Sequence, residues 1–287
     1  MAVIGTSSSG IVRYAPVGRC IYCGRDGSAN ELGDEHIVPF ALQGQAVLPK
    51  SSCKDCADIT SAFEGRCAHA MYRSLRVTQN IQTRRPTKRP KTLPMRSSTG
   101  QIVEMPLQGV ITTIPTVQFR PPGYFKDPLI KETNWTGATL GVQTGSPRNI
   151  QLWQDYSAPD FSVEQGFDLD SLARMMAKIA HATCAGTFGL DWFTPWLPPY
   201  ILGADAALSY VVGGAEGPLE PKNTLHEIRY DVTTVGGILL VTCTIRLFAQ
   251  FGGPHTKVIV GQTTEECVQS FNRKSANVAP PESGATQ

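Results

Sequence analysis

The sequence predicts an α+β protein in which an N-terminal β-β-α unit stapled by cysteines precedes an α+β domain with an antiparallel sheet. Three observations point there. Two CxxC pairs, Cys20 with Cys23 and Cys53 with Cys56, bracket 29 residues that hold two short strand-like runs. Behind Asp168, the residues Leu169, Leu172, Met176, Ile179 and Ala180 form an apolar stripe at helical spacing, with the Asp as its cap. Toward the C-terminus, "LHEIRYDVTTVGGILLVTCTIRLFAQFGGPHTKVIVG" divides into three strands at Gly236-Gly237 and Gly252-Gly253.

The cysteine spacing suits a four-thiolate zinc site. Each CxxC turn presents two sulfurs on one side, and two such turns complete the tetrahedron that a d10 ion accepts. The competing readings are two disulfides or four unrelated buried thiols. A CxxC disulfide closes a strained small loop, and nothing else in the chain points to an oxidising compartment. Cys67, Cys184, Cys243 and Cys267 are scattered and read as ordinary small residues.

Residues 1–18 read as a loosely held lead-in to a first unit spanning residues 1–78. From residue 19 the order is cysteine turn, strand ("DEHIVPF"), turn ("LQGQ"), strand ("AVLPK", interrupted by Pro49), cysteine turn and helix. The helix carries Ile59, Phe63, Ala70 and Met71 on one face, with Gly65 as a point of bending. Residues 79–97 read as a basic, proline-bearing linker, and residues 98–287 as the second domain. In that domain "EMPLQGVITTIPTVQF" and "WTGATLGVQTG" read as strands. Leu239, Val241, Cys243, Ile245 and Leu247 alternate inward, and the tail "SANVAPPESGATQ" reads as disordered.

A composition of 41% hydrophobic and 17% charged residues is that of a globular chain. No window approaches about 18 uninterrupted apolar residues, so no membrane span is expected. The N-terminus lacks the pattern of a secretory signal, which leads to a cytoplasmic expectation.

The net charge of +2 hides an asymmetry: residues 1–100 carry 14 Lys/Arg against 7 Asp/Glu, and the rest is acidic. Residues 73–96 hold eight Lys/Arg and no acid. Such a run solvates a linker or meets a polyanion. Pro86, Pro90 and Pro94 favour an extended arm that tracks a phosphate backbone, with Arg73, Arg76, Arg84, Arg85, Lys88, Arg89 and Lys91 as the contacts.

Between the cysteine pairs lies Glu35-His36. Phosphodiester hydrolysis needs a base for water and a cation to neutralise charge on the phosphate. His36 is the candidate base, and Glu35 can hold Mg2+ or another hard cation. The other histidines get plainer roles: His69 on a surface helix, His181 as a hydrogen-bonded core residue, His226 and His255 at strand and turn edges.

The segments "CIYC", "DEHIVPFALQG", "VLPKSSCKDC" and "DITSAFEGR" together resemble the zinc-stapled HNH endonucleases, a branch of the ββα-metal nucleases, over residues 19–78. "TRRPTKRPKTLP" resembles the segment on the C-terminal side of that domain in the family, and "AKIAHATCAGTFGLD" and "LPPYILG" resemble companion regions. The resemblance implies His36 as general base, Glu35 as first ligand of a catalytic Mg2+ or Mn2+, and structural zinc on the four cysteines. Two positions depart from the pattern. Gln45 stands where an Asn orients the catalytic His, and its amide can still donate and accept. Ala57 stands where the second ligand is expected, and a methyl group binds no metal. Asp58 can substitute, Glu64 can reach in, or the site is weakened or dead. The expectation is thus a metal-dependent endonuclease acting on DNA, with RNA also open. Its alternative is a zinc-dependent nucleic-acid-binding protein that does not cut. A homodimer or a partner protein is open for the second domain.

Overall fold

The structure is a computed structural model and describes residues 2–5, 12–27, 32–97, 99–146, 148–155, 161–162 and 165–276. In chain order the N-terminal part comprises β1 (Ala2–Gly5), β2 (Val12–Arg13), β3 (Leu32–His36), β4 (Ala46–Cys53), α1 (Lys54–Arg66) and α2 (Arg73–Thr78). After these come β5 (Thr92–Ser97), β6 (Ile102–Pro106), β7 (Thr112–Gln118), α3 (Gly123–Lys126), β8 (Thr139–Gly145), α4 (Ile150–Asp155) and β9 (Phe161–Ser162). The remainder is α5 (Leu169–Phe188), β10 (Thr194–Pro195), α6 (Pro198–Leu202), α7 (Leu208–Val211), β11 (Val212–Gly214), β12 (Glu227–Val235), β13 (Ile238–Arg246), β14 (Thr256–Thr263) and α8 (Glu265–Ala276). This is a mixed α+β fold with mainly antiparallel sheets. Among the described residues no helix is long and apolar enough to cross a membrane.

The largest sheet runs β1-β12-β13-β14-β10, with β11 also on β14. The first segment is therefore not a loose lead-in: β1 adds a strand beside β12, and β2 lies parallel to β4. Gly236 and Gly237 both take positive φ in the β12–β13 turn, as a two-residue hairpin turn of matching twist requires. The expected one-sided alternation along β13 is replaced by burial on both faces, since Leu240, Val241, Thr242 and Cys243 are all buried. The expected disordered tail lies outside the described residues from residue 277 onward, and α8 reaches Ala276.

Asp168 caps α5 as expected, accepting from the Ser171 N–H at 2.9 Å. Leu172, Met176, Ile179 and Ala180 are buried, as is every other residue from Ser171 to Ala185 except Arg174, whereas Leu169 is half-buried. A helix apolar all round is a helix surrounded. α5 lies between α1 on one side and β13 and β14 on the other, and one hydrophobic cluster runs from Cys20 and Phe63 through α5 to Val260. Arg66 fastens α1 to the start of α5 by donating to Ser171 Oγ at 2.7 Å, and the Arg174 guanidinium stands 4.9 Å from the Phe63 ring centre.

The small sheet β2-β4-β3 carries α1 directly after its middle strand. The first strand is shorter than expected and ends at His36, because Ile37 and Val38 turn away and Phe40–Leu42 form a 3-10 turn. Gly44 is required there, since a Cβ on it would stand 1.8 Å from the Val38 carbonyl oxygen. Pro49 does not interrupt β4. The register slips between Gly33/Ser52 and Glu35/Leu48, and the residues set out by that bulge include Pro49 and Lys50, whose φ is 46°.

The helical stripe is partly revised: Phe63 and Met71 are buried, whereas Ile59 and Ala70 are not. The break comes at a π turn over Cys67–Met71 and not at Gly65. The basic run is likewise not one extended arm. Its first quarter is α2, a 3-10 turn comes next at Pro86–Lys88, and its end is β5.

Candidate functional site

The first cysteine turn closes through the Gly24 N–H to the Cys20 carbonyl, with Gly24 at a φ of 74°. The Ile21 N–H donates to the Ser51 carbonyl and ties that turn to the end of β4. Cys53 caps α1 and Cys56 sits in its first turn. All four sulfurs lie within 4.8 Å of one another, and Cys23 Sγ and Cys53 Sγ are 3.7 Å apart. A tetrahedral ion at about 2.3 Å from each sulfur sets them about 3.8 Å apart. The four cysteines are free thiols in a set that could hold a metal ion and is compatible with zinc.

Beside this cluster, the end of β3, the turn at residues 39–41, α1, α2 and the basic run beyond it line a groove of about 940 Å3. Glu35 and His36 stand at its floor and Ala57, Asp58 and Glu64 come from α1. Arg73, Arg76, Arg84, Arg85, Lys88 and Arg89 line it as well, so the basic run and the acid-His pair share one cavity. Lys91 is exposed and lies outside that lining.

The cations differ in what they are free to do. Arg76 donates to the carbonyls of Ala41 at 2.7 Å and Ala68 at 3.0 Å, and Arg89 donates to Asn80 and to the Ile81 carbonyl. Arg84 lies over the Phe40 ring, 5.7 Å from its centre. Arg73, Arg84, Arg85 and Lys88 are exposed.

His36 is half-buried against the Phe40 ring at 5.6 Å, and its Nδ1 is buried without a hydrogen-bond partner. Burial first, then the charges of Lys178 and Arg84, hold its pKa below the ordinary imidazole value against the opposing pull of Glu35 and Asp34. At neutral pH the ring is an uncharged acceptor. Gln45 is placed before β4, where its carbonyl accepts from the Val12 N–H, and it does not line the groove. His69 reaches the groove from the π turn, a distortion that often marks functional positions. His181 is buried and hydrogen-bonded, as expected. His226 stands at the edge of β12, and the structure adds that it is fully buried and hydrogen-bonded to the Leu42 carbonyl.

A residue that sequence reasoning missed completes the floor. Lys178 on α5 is fully buried, with Nζ 2.5 Å from Glu35 Oε1 and 2.8 Å from Glu64 Oε1. It also donates to the His36 carbonyl and, at 3.3 Å, to the Ile37 carbonyl. Burial alone pulls the ammonium's pKa down; Glu35 and Glu64 outweigh that and hold it above its usual value. Burial pushes the Glu64 carboxyl upward, against the attraction of Lys178. The signal for Lys178 was present in the sequence, since a lysine inside a helix apolar on all sides must find buried acceptors.

The expected catalytic cation does not fit this donor set. Glu35 is committed to Lys178, position 57 offers a methyl group, and Asp58 is exposed and ion-paired with Lys54 one turn back. Among the described residues, the four cysteines are the one group of three or more Cys, His, Asp or Glu side chains gathered to hold a metal ion. No protein-family model matches the chain, and no curated protein or solved structure matches it either.

Proposed function

We propose that the chain is a phosphodiester hydrolase of the HNH endonuclease type that takes DNA along the basic groove and uses His36 as the general base. The four cysteines hold a structural zinc ion that fixes β4 to the start of α1. The observation that carries the reading is the position of His36: a half-buried imidazole with an unpartnered nitrogen and a pKa held below its ordinary value, in a groove that six Arg and Lys side chains also line. A base must be uncharged to take a proton from water. Exposed guanidinium and ammonium groups aimed at a phosphate stabilise the charge that develops as the nucleophile adds. Arg84, Arg85, Lys88 and Arg73 are placed for that.

A second reading is binding without cleavage. It is favoured by Ala57 and by the engagement of Glu35 with Lys178. The two separate when cleavage and affinity are measured on one labelled oligonucleotide. The hydrolase reading expects His36→Ala to lower cleavage at least a hundredfold while affinity stays within about twofold, a range that loss of a general base accounts for. Equal cleavage by the variant would reject His36 as the base, and no cleavage by the wild type would leave the binding reading.

A further inference from the structure

The floor of the groove contains two buried carboxylates that would repel each other if left alone. Glu35 is 6% exposed, and Glu64 has a side chain only 20% exposed. Two such groups in a poorly hydrated place need a cation between them or a proton on one. Lys178 supplies the cation from a different part of the chain, 143 positions beyond Glu35 in sequence. Its ammonium is ion-paired with one oxygen of each carboxylate, and its hydrogen bonds go to the carbonyls of His36 and Ile37. An ion held by the same two oxygens at about 2.1 Å would press a second positive centre against Nζ in a buried space.

We propose that Lys178 is the resident cation of the groove, filling the place between Glu35 and Glu64, excluding a divalent metal ion from it, and fixing the end of β3 that carries His36. Lys178 is a positioning residue, since it touches the strand bearing the base and not the water that the base activates. The proposal deepens the hydrolase reading by making its chemistry independent of a divalent ion. Exclusion of the ion stands apart from whether the chain cuts.

The arrangement also accounts for two features. Position 57 needs no metal-binding side chain, so Ala57 is tolerated. Asp58 is left to pair with Lys54 on the exposed side of α1. With Lys178 in place, the charge that elsewhere would come from a dissolved metal is built into α5 and is held by the protein core.

The test is a Mn2+ titration followed by electron paramagnetic resonance on purified, zinc-containing protein. Wild type is expected to take up no Mn2+ that Glu64→Gln removes. Lys178→Met, which keeps an unbranched side chain and deletes the charge, is expected to bind one Mn2+ at least tenfold more tightly than wild type. Lys178→Met with Glu64→Gln should lose that ion again. Uptake of one Mn2+ by wild type, abolished in Glu64→Gln, would overturn the proposal, and this arm holds even if Lys178→Met fails to fold. A folded Lys178→Met that binds no more Mn2+ than wild type would overturn it as well. Cleavage by wild type that appears only on adding Mg2+ or Mn2+ would do the same. Complete absence of cleavage under all conditions instead removes the hydrolase reading, and the Mn2+ titration still decides the role of Lys178.

Discussion

His181 Nε2 lies 2.6 Å from the carbonyl oxygen of Ile21, inside the first cysteine turn. The ring is buried and therefore donates as the neutral tautomer; burial pulls its pKa down to about 4 against the contrary effect of the Ile21 carbonyl. The central helix α5 is thereby bonded to the cysteine turn at one level and, through Lys178, to the end of β3 three residues earlier.

This coupling sets the expected consequence of losing the metal. Structural zinc in such modules contributes on the order of 10 kcal/mol of apparent binding free energy that is also folding free energy. One zinc per chain is expected by metal analysis. Cys53→Ser should lose it and with it the cooperative melting of the whole chain, because α5 belongs to the core of both halves. A Cys53→Ser protein that keeps its zinc, or melts within about 5 °C of wild type, a shift worth only a kcal/mol or two, contradicts this.

The groove's cations predict the salt dependence of DNA binding. Four of them, Arg73, Arg84, Arg85 and Lys88, are exposed, whereas Arg76 and Arg89 already donate to backbone carbonyls. Four phosphate contacts correspond to a slope of about −3 to −4 in log affinity against log salt. Changing the four to Gln together should flatten it to about zero. An unchanged slope in that variant places the contacts elsewhere.

His226 predicts a pH dependence of stability. Its Nε2–H donates to the Leu42 carbonyl at 2.7 Å, and its Nδ1 accepts from the Phe248 N–H at 3.2 Å. Burial holds its pKa down at about 4, against a slight rise from the Leu42 bond. The unfolded chain protonates the ring from about pH 6.5. The stability from the neutral ring is therefore complete above that value and is lost as the pH falls toward 4, by about 3 kcal/mol at most. Denaturant unfolding at pH 7.5 and pH 5 should show a smaller drop for His226→Asn than for wild type. An equal drop assigns the acid sensitivity to other groups.

Much of the fold was legible because its signals are local. The cysteine pairs, the Asp168 cap and the Gly-Gly turn of the β12–β13 hairpin each act within a few residues, and each stands where the pattern put it. What could not be read depends on residues far apart. The bulge that lets β4 run through Pro49 is a property of its pairing with β3, and the strand β1 acquires its place only beside β12. The same applies to the site. Glu35, His36 and the basic run are visible in the sequence, but the partner of Glu35 sits on α5, and nothing near Glu35 announces it.

The most direct test of the account is nicking of supercoiled plasmid by zinc-containing wild-type protein in buffer without added divalent salt, with His36→Ala run beside it. Wild type is expected to convert supercoiled plasmid to the open circle at a rate that changes less than about twofold on adding Mg2+ or Mn2+, and His36→Ala to nick at less than about a hundredth of the wild-type rate, in line with loss of a general base. Nicking by His36→Ala at the wild-type rate, or nicking by wild type only when a divalent ion is supplied, would contradict it.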